Sequence, residues 1–294
     1  METLETLSDK LDTTGDIQSI VRTMKALSAV SIRQYEQAAD AVASYAKTID
    51  MGLTAILHDR RAGGLSLPHT GSTDADVAGL IVIGSDRGLC GRYNETVARA
   101  AVDCINDRTA VLGVIGARAA ARLEAQRHKA DRLFLLPGSV AGMTPMVGRV
   151  IVEIESWMRE RGVETVNVVH NRREGRSRAV PTSSAVLPIA SEDLQQLADA
   201  RWPGPGLPFF RMDRDRLLSW LVRERLFVLL YRALAEALAS EHATRLAAMQ
   251  SAERNIKERR EDLTSDYRRK RQETITREML DVISGFEAVS GSDD

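Results

Sequence analysis

Proline is absent from the sequence before Pro68 and after Pro208. Because proline is excluded most strongly from helix interiors, its absence over both ends predicts long terminal helices. Aromatic residues are also scarce, at 4% of the chain, whereas charged residues make up 28%. This balance favours extended helices over a compact β-rich body.

Two further shortages exclude classes of partner. The formal net charge is only −1, so the chain has no global positive field for binding nucleic acid or anionic lipid. No apolar run approaches the ~20 residues that span a bilayer, and the acidic N-terminus does not resemble a signal peptide. We therefore expect no nucleic-acid partner and no direct insertion into a membrane.

Cysteine and histidine are too few for an evident metal site. Cys90 and Cys104 are the only cysteines, and they form no Cys-x-x-Cys pair. The five histidines lack the His-x-x-x-His spacing of metal ligands. We expect no disulfide framework, no bound metal and no cofactor, and a reducing compartment.

The N-terminal segment, residues 1–59, spaces its apolar residues mostly three and four apart. This spacing predicts one apolar stripe on a coiled-coil helix, with a bend or break expected at Gly15. The predicted stripe consists of Leu4, Leu7, Leu11, Ile17, Met24, Leu27, Tyr35, Val42, Tyr45, Ile49 and Ile56.

The C-terminal segment, residues 212–294, has a similar texture and begins near Asp213, a possible helix cap. Met249, Ile256 and Leu263 follow one another at a seven-residue step, which is typical of a coiled-coil seam. Since such a helix needs a partner for its stripe, we expect the two ends to pair antiparallel.

Between these ends, short apolar runs alternate with helical segments over residues 77–200. Alternation at this spacing predicts an inserted, Rossmann-like α/β domain with a mostly parallel sheet. Residues 60–76 are predicted to form a loop and residues 201–211 a linker, since both are rich in turn-forming residues. The expected fold is therefore α/β plus α: a long antiparallel coiled coil interrupted by an α/β domain.

A glycine-rich turn at residues 84–94 follows the first predicted strand. Such turns bind phosphate in many α/β proteins, but this one lacks both the phosphate-loop ending and the dinucleotide spacing. A tight structural turn is therefore the favoured interpretation. Cys90 in this turn is either a nucleophile whose pKa is lowered by the following helix, or a small buried residue, which explains it as well.

The same turn carries the first recognisable motif. Residues 85–91 read Ser-Asp-Arg-Gly-Leu-Cys-Gly, which resembles the signature of the gamma subunit of F-type ATP synthases. The segments 227–241, 245–250, 267–275 and 283–289 resemble further blocks of that family, in the same order.

This resemblance implies a non-catalytic rotor stalk. The terminal helices would turn inside a ring of three alpha and three beta subunits, while the α/β domain would contact the epsilon subunit and the membrane c-ring. Rotation of an asymmetric shaft would change the nucleotide affinity of each beta subunit in sequence. The implied location is the cytoplasmic face of a bacterial cell membrane, as a peripheral complex.

The resemblance also implies contact residues. Arg271 and Gln272 match a pair that contacts a beta-subunit loop, and Met24 and Cys90 match positions near an acidic beta-subunit region. The implied rotor–stator contacts are Met24, Asp86, Arg87, Cys90, Arg271, Gln272 and Thr276. The implied apolar tip, held in an apical bearing, consists of Met279, Val282, Ile283 and Phe286.

Three features differ from the usual family pattern: residues 27–32 of the first helix, residues 91–94 of the loop, and the basic cluster at 268–271. These departures suggest a divergent lineage, for example the alternate, sodium-translocating type of the enzyme. The coupling ion itself, proton or sodium, is chosen in membrane subunits and stays open here.

Two other functions compete with the rotor stalk. One is a coiled-coil scaffold or regulator that dimerises through its C-terminal helix. The other is a Rossmann-like nucleotide-binding enzyme, suggested by the α/β alternation and by the turn at residues 84–91.

Overall fold

The computed structural model describes residues 3–67, 77–175, 178–202, 204, 206 and 209–290, with the backbone alone at 285–290. The helices are α1 (Leu4–Ala62), α2 (Tyr93–Cys104), α3 (Ala117–Ala125), α4 (Met143–Arg161), α5 (Ser191–Asp199) and α6 (Arg214–Ser290). The strands are β1 (Ala78–Ile83), β2 (Thr109–Ile115), β3 (Arg132–Phe134), β4 (Thr165–Glu174) and β5 (Arg178–Leu187). Two compact units result: unit 1 is Met1–Leu27 with Ala247–Asp294, and unit 2 is Ser28–Leu246.

One sheet organises unit 2. Within the described part of the chain, five strands follow the order β3-β2-β1-β4-β5. The first four are parallel neighbours and β5 pairs antiparallel with β4. The predicted mostly parallel, Rossmann-like sheet is therefore confirmed.

Both faces of this sheet are buried. Alternate residues of each strand point to opposite sides, so a single strand contributes to the clusters on both faces. Leu80 and Val82 of β1 face a cluster with α2 and α3. Ile81 and Ile83 face the opposite cluster, which contains α4 and the central part of α6. Leu234 of α6 is among the most deeply buried residues of this second cluster.

The pairing of α1 with α6 inside unit 2 is antiparallel. Asp59 and Arg60 of α1 form ion pairs with Arg214 and Asp215 at the start of α6. Asp213 caps α6 as predicted. Its Oδ1 accepts hydrogen bonds from the backbone N–H groups of Asp215 and Arg216, at 3.1 and 3.0 Å.

Unit 1 is an antiparallel pair of helical segments. Leu7 and Val21 of α1 are buried, as are Met249 and Leu263 of α6. Polar pairs interrupt this seam: Gln18 accepts a hydrogen bond from Arg260, and Lys25 pairs with Glu253 at 2.6 Å. The antiparallel coil predicted from the two ends is thus observed, with a partly polar seam.

The predicted stripe of α1 was wrong at three positions. Ile17, Leu27 and Tyr45 are 46%, 62% and 39% exposed, whereas the polar residues Gln18 and Ser28 are buried. The buried seam follows a step of 3.5 residues, as in a coiled coil, and it passes through polar side chains that an apolar pattern does not detect. Helix α1 also shows no break at Gly15, because it continues through this residue.

Several boundaries differ from the prediction. Helix α1 ends at Ala62, so residues 60–62 of the predicted loop are helical. Helix α5 was not predicted at all. Residues 68–76 of the predicted loop lie outside the described residues.

Candidate functional site

The turn from β1 to α2 occupies residues 84–92 and packs closely against the start of α3. A Cβ on Gly84 would lie 2.1 Å from the Cβ of Ala119, so only glycine fits there. Leu89 and Gly91 have positive φ values of 61° and 56°, which reverse the chain before α2. These constraints form the tight structural turn that the sequence favoured.

Asp86 fills the position where a bound anion would be expected. Its Oδ1 accepts the N–H of Ala117 at the N-terminus of α3, and its Oδ2 accepts the N–H of Leu136, at 2.8 and 2.7 Å. In open α/β sheets, ligands bind in this crevice at the carboxyl ends of the strands. Because the chain's own carboxylate takes these donors, the geometry argues against a nucleotide site here.

Cys90 is enclosed in the turn. Its side chain is only 2% exposed, and its Sγ lies 3.7 Å from Ser85 Oγ and 3.6 Å from Asn94 Nδ2. Burial raises the pKa of the Cys90 thiol, although the hydrogen bond with Ser85 opposes this. An activated nucleophile needs a lowered pKa, so the shift does not favour that interpretation, whereas the burial expected of a small structural residue is observed.

The tip of the turn, residues 87–89, presents surface to solvent. Arg87 and Leu89 are exposed, and Leu89 is 62% exposed despite its apolar side chain. Of the three turn residues implied as partner contacts, Arg87 is thus exposed, Asp86 is half-buried and Cys90 is buried.

Sequence reasoning missed the side chains of α6 beneath this turn. Glu241 and Arg245 form an ion pair that is 4% and 5% exposed, and Arg245 also donates to the carbonyl of Gly88. His242 beside them stacks on Tyr35 of α1, with ring centroids 5.6 Å apart. Burial lowers the pKa of His242 to about 4, assisted by Arg245 and Arg87. Charged residues four apart on a helix usually indicate a solvated face, so the sequence carried no signal of this burial.

A second buried pair joins the sheet to α6. His170 of β4 lies 3.0 Å from a carboxylate oxygen of Glu236, which also pairs with Arg232. Burial acts to raise the pKa of Glu236, but the hydrogen bonds from His170 and Arg232 outweigh it and the net shift is downward.

The remaining predicted contact residues lie in unit 1. Met24 is half-buried, while Arg271, Gln272 and Thr276 are exposed on α6. Nearby Arg269 and Lys270 pair with Asp266 and Glu273 of their own helix. The structure brings Arg271, Gln272 and Thr276 within about one and a half turns of one helix.

Helix α6 carries exposed apolar side chains between residues 279 and 283. Because Gln18 faces Arg260 and Lys25 faces Glu253, the antiparallel register places the start of α1 near residue 274 of α6. The helix therefore continues past its partner. Met279, Val282 and Ile283 are 63%, 72% and 43% exposed there, and Phe286 lies where only the backbone is described.

The described residues contain neither a candidate metal site nor a candidate membrane span. No cluster of three or more His, Cys, Asp or Glu side chains among them could hold a metal ion. Likewise, none of their helices is both long and apolar enough to cross a membrane.

Known proteins are similar to this chain over nearly its whole length. The family model described as ATP synthase matches residues 3–289. The ATP synthase gamma chain of Granulibacter bethesdensis is 30% identical, with 98% of this chain and all of the relative covered. The chain belongs to the ATP synthase gamma-chain family.

One further relative and one solved structure are also similar to this chain. The gamma chain of Rhizobium rhizogenes is 28% identical over 98% of this chain and all of its own length. A chain of the Euglena gracilis mitochondrial ATP synthase, in a structure of its OSCP, F1 and c-ring parts, shares the fold with a TM-score of 0.65. That likeness covers 99% of this gamma chain and 96% of the Euglena chain at 17% identity.

Proposed function

We propose that this gamma chain is the non-catalytic central rotor stalk of an F-type ATP synthase, coupling ion translocation to ATP synthesis or hydrolysis. Family membership over residues 3–289 supports the assignment. In the proposed assembly, the alpha and beta subunits surround unit 1, and nucleotide chemistry takes place on them. The shaft acts by favouring a different conformation in each beta subunit as it turns.

The observation that carries this proposal is the unpaired end of α6. The exposure of Met279, Val282 and Ile283 leaves an apolar surface that a partner would be expected to cover. We propose that these residues, together with Phe286, turn in an apical bearing formed by the ring. Apolar contact suits a moving surface because it makes no directional bonds that must break on rotation.

We propose that Arg271, Gln272, Thr276 and Met24 contact the beta subunits. Arg271 is exposed in a segment of surplus positive charge, so a carboxylate-bearing loop would suit it. At the β1–α2 turn we propose that Arg87 makes the direct contact. Asp86 and Cys90 belong to the same contact region, where their part is to hold the turn in shape.

We further propose that unit 2 contacts the epsilon subunit and the membrane c-ring, at the cytoplasmic face of a bacterial membrane. Two facts support this assignment: the similar gamma chains of Granulibacter and Rhizobium are bacterial, and the Euglena chain comes from a complex that includes a c-ring. The coupling ion remains a property of the membrane subunits.

Replacement of Arg271 and Gln272 by alanine tests the proposed contacts. The double variant should still assemble with the cognate alpha and beta subunits. It should lower ATP turnover, or the coupling of turnover to ion transport, by up to about tenfold, which corresponds to the loss of one charged hydrogen bond. Both residues are exposed, so the fold of the isolated chain should not change.

Arg178→Ala is the matched control, because this exposed arginine at the start of β5 pairs only weakly with Glu174, at 3.6 Å. Its turnover should equal that of the unmodified complex. Equal turnover in the Arg271/Gln272 variant would reject these contacts, and failure of the unmodified chain to bind alpha and beta would reject the function itself.

A further inference from the structure

The ion pair of Glu241 and Arg245 lies beneath the β1–α2 turn. One guanidinium nitrogen, Nη2, donates both to Glu241 and to the backbone carbonyl of Gly88, the latter at 3.4 Å. Both side chains belong to one helix, four residues apart. The contact with Gly88 therefore connects the shaft helix to the turn.

Such a pair is unusual because it is almost completely shielded from solvent. Lys257 and Glu261 have the same spacing on α6, yet both are largely exposed. Removing two charges from water is costly, and the attraction between them often fails to offset this cost. The raised pKa of Glu241, caused by burial, reflects this, and the Nε of Arg245 has no hydrogen-bond partner among the described residues. A pair that is costly to bury is better explained by what it positions than by stability alone.

What Arg245 holds is the exposed tip of the turn. Gly88 lies between Arg87 and Leu89, whose side chains face solvent. Leu89 adopts a positive φ, which a leucine tolerates only when its surroundings impose it. The two ends of the turn are fixed separately: Ser85 bonds to Asn94, and Tyr93 donates to the carbonyl of Ala237. Within the tip, the Arg87 carbonyl accepts a hydrogen bond from Ser85 Oγ at 2.8 Å, and the Gly88 carbonyl provides a hydrogen bond with α6.

We propose that Arg245 is a positioning residue that holds the tip of the β1–α2 turn against α6, so that force on the tip reaches the shaft helix directly. Glu241 fixes the guanidinium in the orientation that reaches Gly88. This inference rests on the proposed function, in which the tip meets a beta subunit.

Arg245→Lys tests the positioning in the isolated full-length chain. Lysine keeps the charge that Glu241 requires, but its ammonium nitrogen lies one bond nearer the backbone than Nη2 of arginine and so falls short of the Gly88 carbonyl. In a Cys104→Ser background Cys90 is the only thiol, and it reacts with a maleimide only when the turn opens. Loss of the Gly88 contact should speed this labelling about tenfold, while helix content by circular dichroism stays unchanged.

Two further variants make the labelling decisive. Arg92→Lys is the matched control, since Arg92 flanks the same turn but pairs with exposed Glu95 only, and its labelling rate should not change. Glu241→Gln with Arg245→Met removes both buried charges, so no unpaired charge remains to unfold the chain, and it should also speed labelling. Unchanged labelling in both Arg245 variants would overturn the proposal.

The assembled complex then tests the consequence for coupling. Arg245→Lys should lower the number of ions pumped per ATP hydrolysed by about twofold or more, with hydrolysis retained, because a loose tip no longer passes force to the shaft. A normal pumping ratio with fast labelling would overturn the coupling role. If the unmodified chain does not assemble, the proposed function fails, whereas the labelling still decides whether Arg245 holds the turn.

Discussion

The same two helices, α1 and α6, are covered very differently in the two units. In unit 2, nearly every residue of α6 from 233 to 241 is buried against the sheet, α1 or α4. Among the described side chains of α6 in unit 1, only Met249 and Leu263 are buried, and residues 279–284 are exposed. One part of each helix therefore belongs to the core of a folded body, whereas the other keeps its surface available to partners.

The composition of the seam follows this division. Unit 2 buries an apolar cluster around Leu234, so its stability comes mainly from burial of apolar surface. In unit 1, Gln18 and Lys25 occupy positions of the seam and bond to Arg260 and Glu253. Polar seam residues fix register at a cost in stability, and register matters for a shaft that must present residues at defined places.

Substitution of one leucine in each unit should show the largest effect. Leu234→Ala empties space in the core of unit 2 and should lower the free energy of unfolding by about 3 kcal/mol. Leu280→Ala, at an exposed position of unit 1, should change it by less than about 0.5 kcal/mol. Urea denaturation of the isolated chain measures both. Equal losses would show that the two units do not differ as described.

Acid should destabilise unit 2 through His242. Its pKa is about 4 when folded and about 6.5 when unfolded, so the unfolded state binds more protons between these values. The stabilising contribution is complete above pH 6.5 and is lost as the pH falls towards 4. From pH 7 to pH 5 the loss should be about 2 kcal/mol, at ~1.4 kcal/mol per pKa unit.

His242→Gln isolates this contribution. The variant lacks the titrating group, so its free energy of unfolding should fall by about 2 kcal/mol less than that of the unmodified chain over the same pH range. Glu241 has a raised pKa and acts in the opposite direction, but it is present in both proteins. Identical pH profiles would mean that His242 is not buried in its neutral form.

The smallest effect is expected at the seam of unit 1. Gln18→Leu adds apolar burial where Arg260, itself exposed, can return to water, and should stabilise the coil by about 1 kcal/mol. Slower hydrogen exchange of the backbone amides around residue 18 would show this. Ile17→Leu, at a neighbouring exposed position, is the control and should leave exchange unchanged. Faster exchange in Gln18→Leu would show that the hydrogen bond to Arg260 is worth more than apolar burial.

The main elements of the fold could be predicted because their signals are local. Missing prolines and repeated apolar spacing define α1 and α6, and glycine-bounded apolar runs define β1 and β2. Helix α5 was missed because nine residues with few apolar positions give too short a pattern to distinguish from a loop.

The site was less accessible to prediction, because burial of polar residues depends on what packs over them. The motif at residues 85–91 gave the family, but not that Asp86 would occupy the crevice or that Cys90 would be enclosed. Likewise, Glu241 and Arg245 have the spacing of an ordinary exposed pair, and only the fold brings the turn over them.

The most direct test of the rotor assignment is rotation itself. A cysteine would replace Arg178, an exposed residue of unit 2, and would carry the probe. The labelled chain would then be assembled with the cognate alpha and beta subunits, which are fixed to a surface. We predict stepwise rotation of the probe in one direction during ATP hydrolysis. Hydrolysis that proceeds while the probe stays fixed, or that is equally fast without this chain, would contradict the account.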